Sequence, residues 1–189
     1  MNYNNSRSQV GPYLAFDMKV QPDIDFTFSS INDYITGITR LNAMTLYVNS
    51  VADPSGLPGS FQGQWDLYVN ANTTVAGQWD DSGIYYSGSG NIPTVDILEV
   101  RVKNTDNTPK ILNFFNLSSA PTYLIGSAAN PDPAVACGPN LNTNTAGSYK
   151  TLPQCYKFNV DFRIKPGLSN NIRLGYYKIA VEFTISSDL

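Results

Sequence analysis

The sequence contains no histidine, and this absence removes most of the familiar catalytic arrangements from consideration. Nucleophilic catalysis by a Ser-His-Asp or Cys-His arrangement needs an imidazole base, and histidine is also the commonest general base and metal ligand. Paired carboxylates can still hydrolyse glycosides. The candidate pairs are Asp23 with Asp25, Asp80 with Asp81, and Asp96 with Glu99. Such positions are typical of turns or of the polar face of a strand, so we predict a protein that is not an enzyme and uses no cofactor or metal.

Charged residues and long apolar runs are also scarce. Only 14% of the residues are charged and the net charge is −3, which disfavours nucleic acid as a partner. No apolar run approaches the roughly 20 residues of a membrane-spanning helix, so we expect no membrane span. Residues 1–11 are polar and lack the apolar segment of a signal peptide, and we predict that they form a flexible N-terminal arm. A secreted or cell-surface location therefore presumes that a signal peptide has been removed.

The chain has only two cysteines, Cys137 and Cys155, and they bracket a loop rich in Asn, Thr and Gly. A disulfide between them would hold a segment that is too polar to be fixed by burial, at about 3 kcal/mol in the chain-entropy model. We predict this disulfide and, with it, an oxidising compartment. Two unpaired thiols are the alternative, whereas two thiolates without histidine make a poor zinc site.

The sequence is rich in residues that favour strands and turns. It contains 12 Tyr and 9 Phe, which favour strands, and 14 Gly and 12 Pro, which favour turns. The segments in which apolar residues recur at every second position are 12–20, 24–28, 44–48, 64–70, 95–103, 111–115, 123–125 and two segments between Tyr156 and Ser186. This pattern predicts an all-β fold over residues 12–189, a single-domain β-sandwich that is either Ig-like or a jelly roll. We expect about eight or nine strands and little helix.

The alternation is clearest between Tyr156 and Ser186. The ten residues Lys165–Leu174 separate the two strands of this segment. That connection is too long for a tight hairpin, so we predict that the two strands lie in opposite sheets instead of pairing directly. Elsewhere, residues 33–40 are expected to form a short helix or loop, and residues 71–93 and 127–153 are expected to be irregular.

One of the expected loops carries a candidate ligand site. Within residues 78–91 the aromatic and polar side chains suited to a sugar are Trp79, Asp80, Asp81, Tyr85, Tyr86 and Asn91. Aromatic rings stack on the apolar faces of sugars, while carboxylates and amides bind their hydroxyl groups. The loop is therefore a candidate glycan-binding surface. The alternative is that its aromatic rings fold under the loop and cover the core.

Three segments carry short motifs of an exported β-sandwich. They are residues 64–69 (Gln-Trp-Asp-Leu-Tyr-Val), residues 162–167 (Phe-Arg-Ile-Lys-Pro-Gly) and the final stretch from Gly175-Tyr176-Tyr177 through Val181–Ile185. In outline the chain resembles secreted bacterial cell-surface modules with a Trp-x-Leu motif, and pilin-like domains that end in a Gly-x-Tyr strand. The resemblance implies a repeated or surface-displayed subunit. Because a clear second Trp-x-Leu motif is missing, it implies no peptidoglycan binding.

The first predicted strand is a candidate for assembly. Its apolar residues have the two-residue period that a strand added to a neighbouring sheet edge requires. They are Leu14, Phe16, Met18 and Val20. The alternative is that this strand is an ordinary edge strand of its own domain.

Together these features predict a non-enzymatic structural or adhesive subunit of a bacterial cell-surface filament or appendage, such as a fimbrium. Its partners would be other copies of the chain or a related surface subunit, joined through sheet-edge contacts. Two other functions remain open from the sequence: an extracellular carbohydrate-binding module, and a phage or viral capsid or fibre protein.

Overall fold

The computed structural model describes residues 12–20, 24–84, 90–104, 113–126, 146–168 and 171–187. These residues contain ten strands and two short α-helices. In chain order the elements are β1 Tyr13–Val20, α1 Ile31–Thr36, β2 Ile38–Val51, β3 Trp65–Asn72, β4 Asp80–Ile84, β5 Leu98–Asn104, β6 Phe115–Asn116, β7 Thr122–Ile125, α2 Pro153–Tyr156, β8 Lys157–Ile164, β9 Gly175–Lys178 and β10 Ala180–Ser187. The expected arm at residues 1–11 lies outside the described residues.

All strand pairs are antiparallel, and the all-β prediction is confirmed. One sheet has five strands in the order β1-β2-β8-β5-β6. A second sheet has the order β10-β3-β7, and β4 pairs with β9. Only Ile179 separates β9 from β10, and β4 meets β9 just beyond the point where β3 meets β10. The β4–β9 pair therefore continues the second sheet.

The core lies between the sheets and follows from the alternation of apolar residues along the central strands. Leu46 and Val48 of β2 and Leu67 of β3 are fully buried. Trp65 of β3 is 1% exposed, and its ring centroid lies 6.4 Å from that of Phe158 in β8. This aromatic contact joins the two sheets near the middle of the molecule.

β8 and β10, the strands with the clearest alternation in the sequence, lie in the positions that the length of their connection predicted. β8 is the central strand of the five-stranded sheet, whereas β10 is an edge strand of the other sheet. The prediction that they occupy opposite sheets is confirmed.

The segment 24–28 is not a strand, which corrects the expectation from its alternation. Ile24, Phe26 and Phe28 are half-buried against the core, as their period predicts, but the described residues provide no ladder for them. An extended chain that crosses a core gives the same period as a strand. The Arg40 side chain fixes the segment by donating from Nε to the Asp25 carbonyl at 2.9 Å.

Residues 33–40 divide between a helix and a strand. Ser30 caps α1, since its hydroxyl accepts from the Asp33 N–H and the Asp33 carboxylate accepts from the Ser30 N–H at 2.8 Å. The two N–H groups of Ser29 and Ser30 that bond this carboxylate lower the pKa of Asp33. Gly37 ends the helix with a φ of 73°, and β2 begins at Ile38.

Two further boundaries differ from the sequence expectation. Part of the expected loop 71–93 is β4, which escaped detection because Asp-Asp-Ser-Gly-Ile has no apolar alternation and contains a register shift between Asp81 and Gly83. The expected strand 95–103 begins with a 3-10 turn over Val95–Ile97. Of the expected strand 111–115, the described part contributes only β6.

Candidate functional site

The candidate assembly strand β1 lies at an edge of the five-stranded sheet. It pairs with β2 over its full length, from Tyr13 opposite Val51 to Val20 opposite Met44, without a register shift. Among the described residues no strand pairs with its other side. β1 is thus the edge strand of its own sheet. The backbone N–H and C=O groups on its outer side face no strand within the described residues.

The apolar face of β1 is covered along only half its length. Directly opposed residues of an antiparallel pair share a face, so Leu14, Phe16, Met18 and Val20 point to the same side as the buried residues of β2. Leu14 and Phe16 pack partly against the core. Met18 and Val20 are 51% and 48% exposed. The second half of β1 therefore presents apolar side chains beside an open edge.

The opposite face of β1 is polar at the same end. Asp17 and Lys19 are both exposed, and neither takes part in an ion pair within the described part of the chain. At the other end of the strand, the Tyr13 hydroxyl accepts from the Asn49 amide at 3.2 Å. The exposed half of β1 thus carries one charge of each sign, two residues apart.

A shallow depression of about 280 Å³ lies where the start of β1 meets the end of β10. It is lined by Pro12, Tyr13, Leu14, Phe61 and Ser187. Its volume falls at the lower limit of small-molecule sites, and it is widely open to solvent. Its position shows that edge strands of the two sheets come together at this corner of the sandwich.

Of the three aromatic residues of the candidate sugar site, the structure describes Trp79 and places it partly beneath the surface. Trp79 packs against the core, its indole N–H donates to the Thr94 carbonyl at 3.1 Å, and its backbone N–H donates to the Pro93 carbonyl at 2.9 Å. Tyr85 and Tyr86 lie outside the described residues. Trp79 therefore joins the start of β4 to the described residues Pro93 and Thr94, and it is only partly exposed to solvent.

The polar residues of the candidate sugar site bond to the protein itself. The Asp80 carboxylate accepts from the Thr74 N–H at 2.8 Å, and the Asp81 carboxylate accepts from the Gly83 N–H at 3.0 Å. Asp81 also forms an ion pair with Arg173, a partner that sequence reasoning missed. Asn91 bonds through its backbone to Asn171 and Arg173. The carboxylates of Asp80 and Asp81 are therefore both engaged by groups of the chain itself.

A buried ion cluster on the outer face of the five-stranded sheet was not anticipated from the sequence. Asp161, at the middle of β8, is fully buried, and its carboxylate lies 2.7 Å from the Arg101 guanidinium and 2.8 Å from the Lys103 ammonium. The Asn42 N–H donates to the same carboxylate at 2.8 Å. Asn42 has a φ of 51° and sits in the register shift of β2 between Arg40 and Met44. The irregularity of β2 thus directs a backbone donor toward Asp161.

Burial and hydrogen bonding act in opposite directions on the Asp161 carboxyl. Removal from water raises its pKa, but the hydrogen bonds from Lys103, the Asn42 N–H and Arg101 outweigh this effect, so the pKa lies below its usual value. Asp161 therefore stays ionised and holds two cations in fixed positions. Alternation placed Lys103 and Asp161 on the polar face, but it did not indicate that they would be buried there.

The cluster continues across the same face as a row of paired charges. Arg101 and Arg163 both stack on Phe114, with their guanidinium carbons 4.5 and 4.1 Å from the ring centroid. Arg163 also pairs with Glu99 at 2.6 Å. Cations held between a carboxylate and an aromatic ring are fixed in place. On this face two carboxylates, Asp161 and Glu99, thus hold three cations, Arg101, Lys103 and Arg163, in ion pairs.

The predicted disulfide falls partly outside the described residues. Cys155 is half-buried, packs against the core from α2, and is not a free cysteine. Cys137 lies outside the described residues, so the Cys137–Cys155 bond stays a prediction.

No protein-family model matches the sequence, and no curated protein is significantly similar to it. Within the described residues, no helix has the length and apolar character needed to cross a membrane. In the same residues, no three side chains of His, Cys, Asp or Glu come close enough together to hold a metal ion.

Proposed function

We propose that this chain is a non-enzymatic structural or adhesive subunit of a bacterial cell-surface filament or appendage, and that it assembles through its sheet edges. The observation that carries the proposal is the β1 edge, which is eight residues long, free of register shifts, and flanked by the exposed side chains of Met18 and Val20. An edge with these properties is a template for pairing with another chain.

A second open edge supports the same function. β10 pairs with β3 through eight consecutive residues without a register shift, and within the described residues its other side faces no strand. A subunit with two long open edges, one on each sheet, has the two contacts that a chain of subunits requires. The remaining outer strands among the described residues, β4, β6, β7 and β9, are shorter, with two to five residues each.

The surface location is supported by composition and by cysteine chemistry. Low charge, abundant Asn, Thr and Tyr, and the motifs at residues 64–69 and 175–177 resemble exported β-sandwich subunits. Cys155 is not a free cysteine, which suits an oxidising compartment.

Edge addition is favoured over donation of β1 itself. β1 is fully paired with β2, and Leu14 and Phe16 contribute to the core. A neighbouring chain can therefore add to the free side of β1 without any rearrangement. Deletion of residues 1–20 should accordingly leave an unfolded product. A folded monomer that has lost only the ability to assemble would instead favour donation.

Electron microscopy and sedimentation velocity of the purified full chain over a wide concentration range test the proposal. We expect oligomers or fibres that grow with concentration. Met18→Lys should block the β1 contact and so prevent growth beyond what the β10 edge alone can join, without changing the circular dichroism spectrum, because an inward-pointing charge at an open edge blocks pairing. Thr39→Lys, at an exposed position of β2 beyond the β1 pairing, is the matched control. Monomers at every concentration would overturn the proposal.

A further inference from the structure

Within the part of the chain that the structure describes, the β1 edge lacks the features that usually prevent strand addition. Natural edge strands are shortened, bulged, interrupted by proline or covered. The β1–β2 register is continuous over eight pairs, whereas the β2–β8, β3–β7 and β4–β9 pairs each contain a shift. The interior of β1 has no proline. Its one cationic outward residue, Lys19, lies beside an anionic one, Asp17, so the edge carries no net repulsion of a matching edge.

From this edge we infer that β1 pairs antiparallel with β1 of a second copy, about a two-fold axis that passes at Met18. The inference rests on the proposed assembly through sheet edges and names both the partner and the register. A two-fold axis perpendicular to the sheet keeps the inner face of each copy on the same side. Opposed residues of an antiparallel pair share a face, so one residue of β1 must face its own copy across the axis. The axis passes midway between these two copies of the residue.

Charge selects which residue lies on the axis. With Met18 on the axis, Asp17 of each copy faces Lys19 of the other, which gives two ion pairs. Moving the axis to Asp17 places the two copies of that carboxylate opposite each other, and moving it to Lys19 does the same for the two ammonium groups. With Phe16 on the axis, Asp17 faces Ala15 and no ion pair forms. Like charges directly opposed across strands are destabilising, whereas opposite charges stabilise.

The apolar face of the same register is also complementary. Met18 faces Met18 of the second copy, and Phe16 faces Val20. The side chains of Met18 and Val20, which are 51% and 48% exposed in the single chain, would thereby be covered. The contact joins two five-stranded sheets into one continuous sheet and leaves β10 open on both copies. Growth beyond a dimer would then require the β10 edges.

Charge reversal tests the register because the two-fold axis makes every single substitution count twice. Asp17→Lys would oppose lysines at two places, Lys19→Asp would oppose aspartates at two places, and the double variant would restore both ion pairs with reversed polarity. By sedimentation velocity, we expect each single variant to raise the dimer dissociation constant about tenfold or more. The double variant should return it to within about threefold of the parent value. Both positions are exposed, so folding should be unaffected.

Lys150→Asp is the matched control, since it makes the same change of charge at an exposed turn away from β1. It should leave the dissociation constant within about threefold of the parent value. Oxidative cross-linking gives an independent reading of the register. Met18→Cys should form a disulfide-linked dimer because this residue faces itself across the axis, whereas Thr39→Cys on β2 should not.

The outcomes separate this inference from the function on which it rests. If both single variants assemble as strongly as the parent chain, the contact lies elsewhere. That result overturns the inference while the proposed function stands. Disruption by the single variants without rescue in the double variant overturns the register. A parent chain that stays monomeric at all concentrations overturns both proposals. Rescue together with a Met18→Cys cross-link establishes the contact.

Discussion

Asp161→Asn is the substitution that most directly tests how the five-stranded sheet is stabilised. The Asp161 carboxylate is fully buried at the middle of the central strand and is bonded to Arg101, Lys103 and the Asn42 N–H. Asparagine has nearly the same size and keeps one acceptor oxygen. It removes the negative charge and turns an N–H₂ group toward one of the cations. The change therefore isolates the electrostatic contribution from packing.

The expected loss follows from the burial of the cations that remain. Removing one partner of a buried ion pair costs about 3–5 kcal/mol, because a charge is left without compensation. The Lys103 side chain is only 9% exposed, so this cost applies to it. Arg101 is 26% exposed and also stacks on Phe114, so solvent and the ring offset part of its cost. We expect a loss of about 3 kcal/mol in the free energy of unfolding, or roughly 6–12 °C in Tm for a chain of this size.

The pH dependence of this loss has a definite sign. The folded pKa of Asp161 lies below its unfolded value. The stability that the ionised carboxylate contributes is therefore fully present above the unfolded pKa of about 3.9, and it is lost as the pH falls through the lower folded pKa. Because asparagine does not titrate, the stability difference between parent and variant should be constant near neutrality and should narrow below about pH 4.

Urea unfolding followed by tryptophan fluorescence measures both effects, with titrations at pH 7 and at steps down to about pH 2. Glu99→Gln is the matched control on the same face, since Glu99 pairs with the partly exposed Arg163. Its expected loss is below about 1 kcal/mol. If Asp161→Asn costs no more stability than Glu99→Gln, or if its loss of stability persists unchanged in acid, then the charge of the buried carboxylate does not stabilise the sheet.

Three further predictions concern the fold. Gly37→Ala should cost more than about 1 kcal/mol in urea unfolding, because φ is 73° and an added Cβ would lie 2.3 Å from the Ile164 carbonyl oxygen. Trp65→Ala should cost about 3–5 kcal/mol in the same assay, since it removes the 1%-exposed ring that joins the sheets, and a loss below about 1 kcal/mol would contradict that role. Reduction of the predicted Cys137–Cys155 disulfide with dithiothreitol should destabilise the parent chain by about 3 kcal/mol in thermal unfolding. The same treatment should leave the stability of Cys155→Ser unchanged, and an equal effect on both chains would contradict the disulfide.

The parts of the fold that the sequence predicted are those where alternation and pairing coincide. β1, β8 and β10 each have apolar residues at every second position. β1 pairs with β2, β10 with β3 and β8 with β5 without a register shift, although the pairing of β8 with β2 contains one. The length of the connection Lys165–Leu174 also carried information, because it excluded a tight hairpin and placed β8 and β10 in different sheets.

The predictions that failed concern segments in which apolar alternation occurs without strand pairing, or strand pairing occurs without apolar alternation. Residues 24–28 alternate because an extended chain passes over the core, and a single sequence does not reveal the absence of a ladder. β4 pairs with β9 although it has no apolar period, since its hydrogen bonds depend on the partner strand and not on its own side chains. Pairing is a property of two segments, and spacing within one segment does not encode it.

The candidate sites, too, were predictable only where they depend on local spacing along the sequence. The alternation of Leu14, Phe16, Met18 and Val20 was visible in the sequence, but their unequal burial depends on where the opposite sheet ends. The Asp161 cluster joins residues about 60 and 119 positions apart, so only the fold brings them together. Arg173, which pairs with Asp81, was missed for the same reason.

The position of these features implies that stability and assembly are largely separate in this molecule. The Asp161 cluster and the Trp65 contact lie on the central strands, whereas Met18 and Val20 lie on an edge strand and are about half exposed. A side chain that stays half exposed gains about half of its full burial energy from folding, and the other half is available only when a second chain covers it. Substitutions at the exposed half of β1 should therefore weaken association while costing less stability than substitutions in the core, and an edge variant that remains folded reports on assembly.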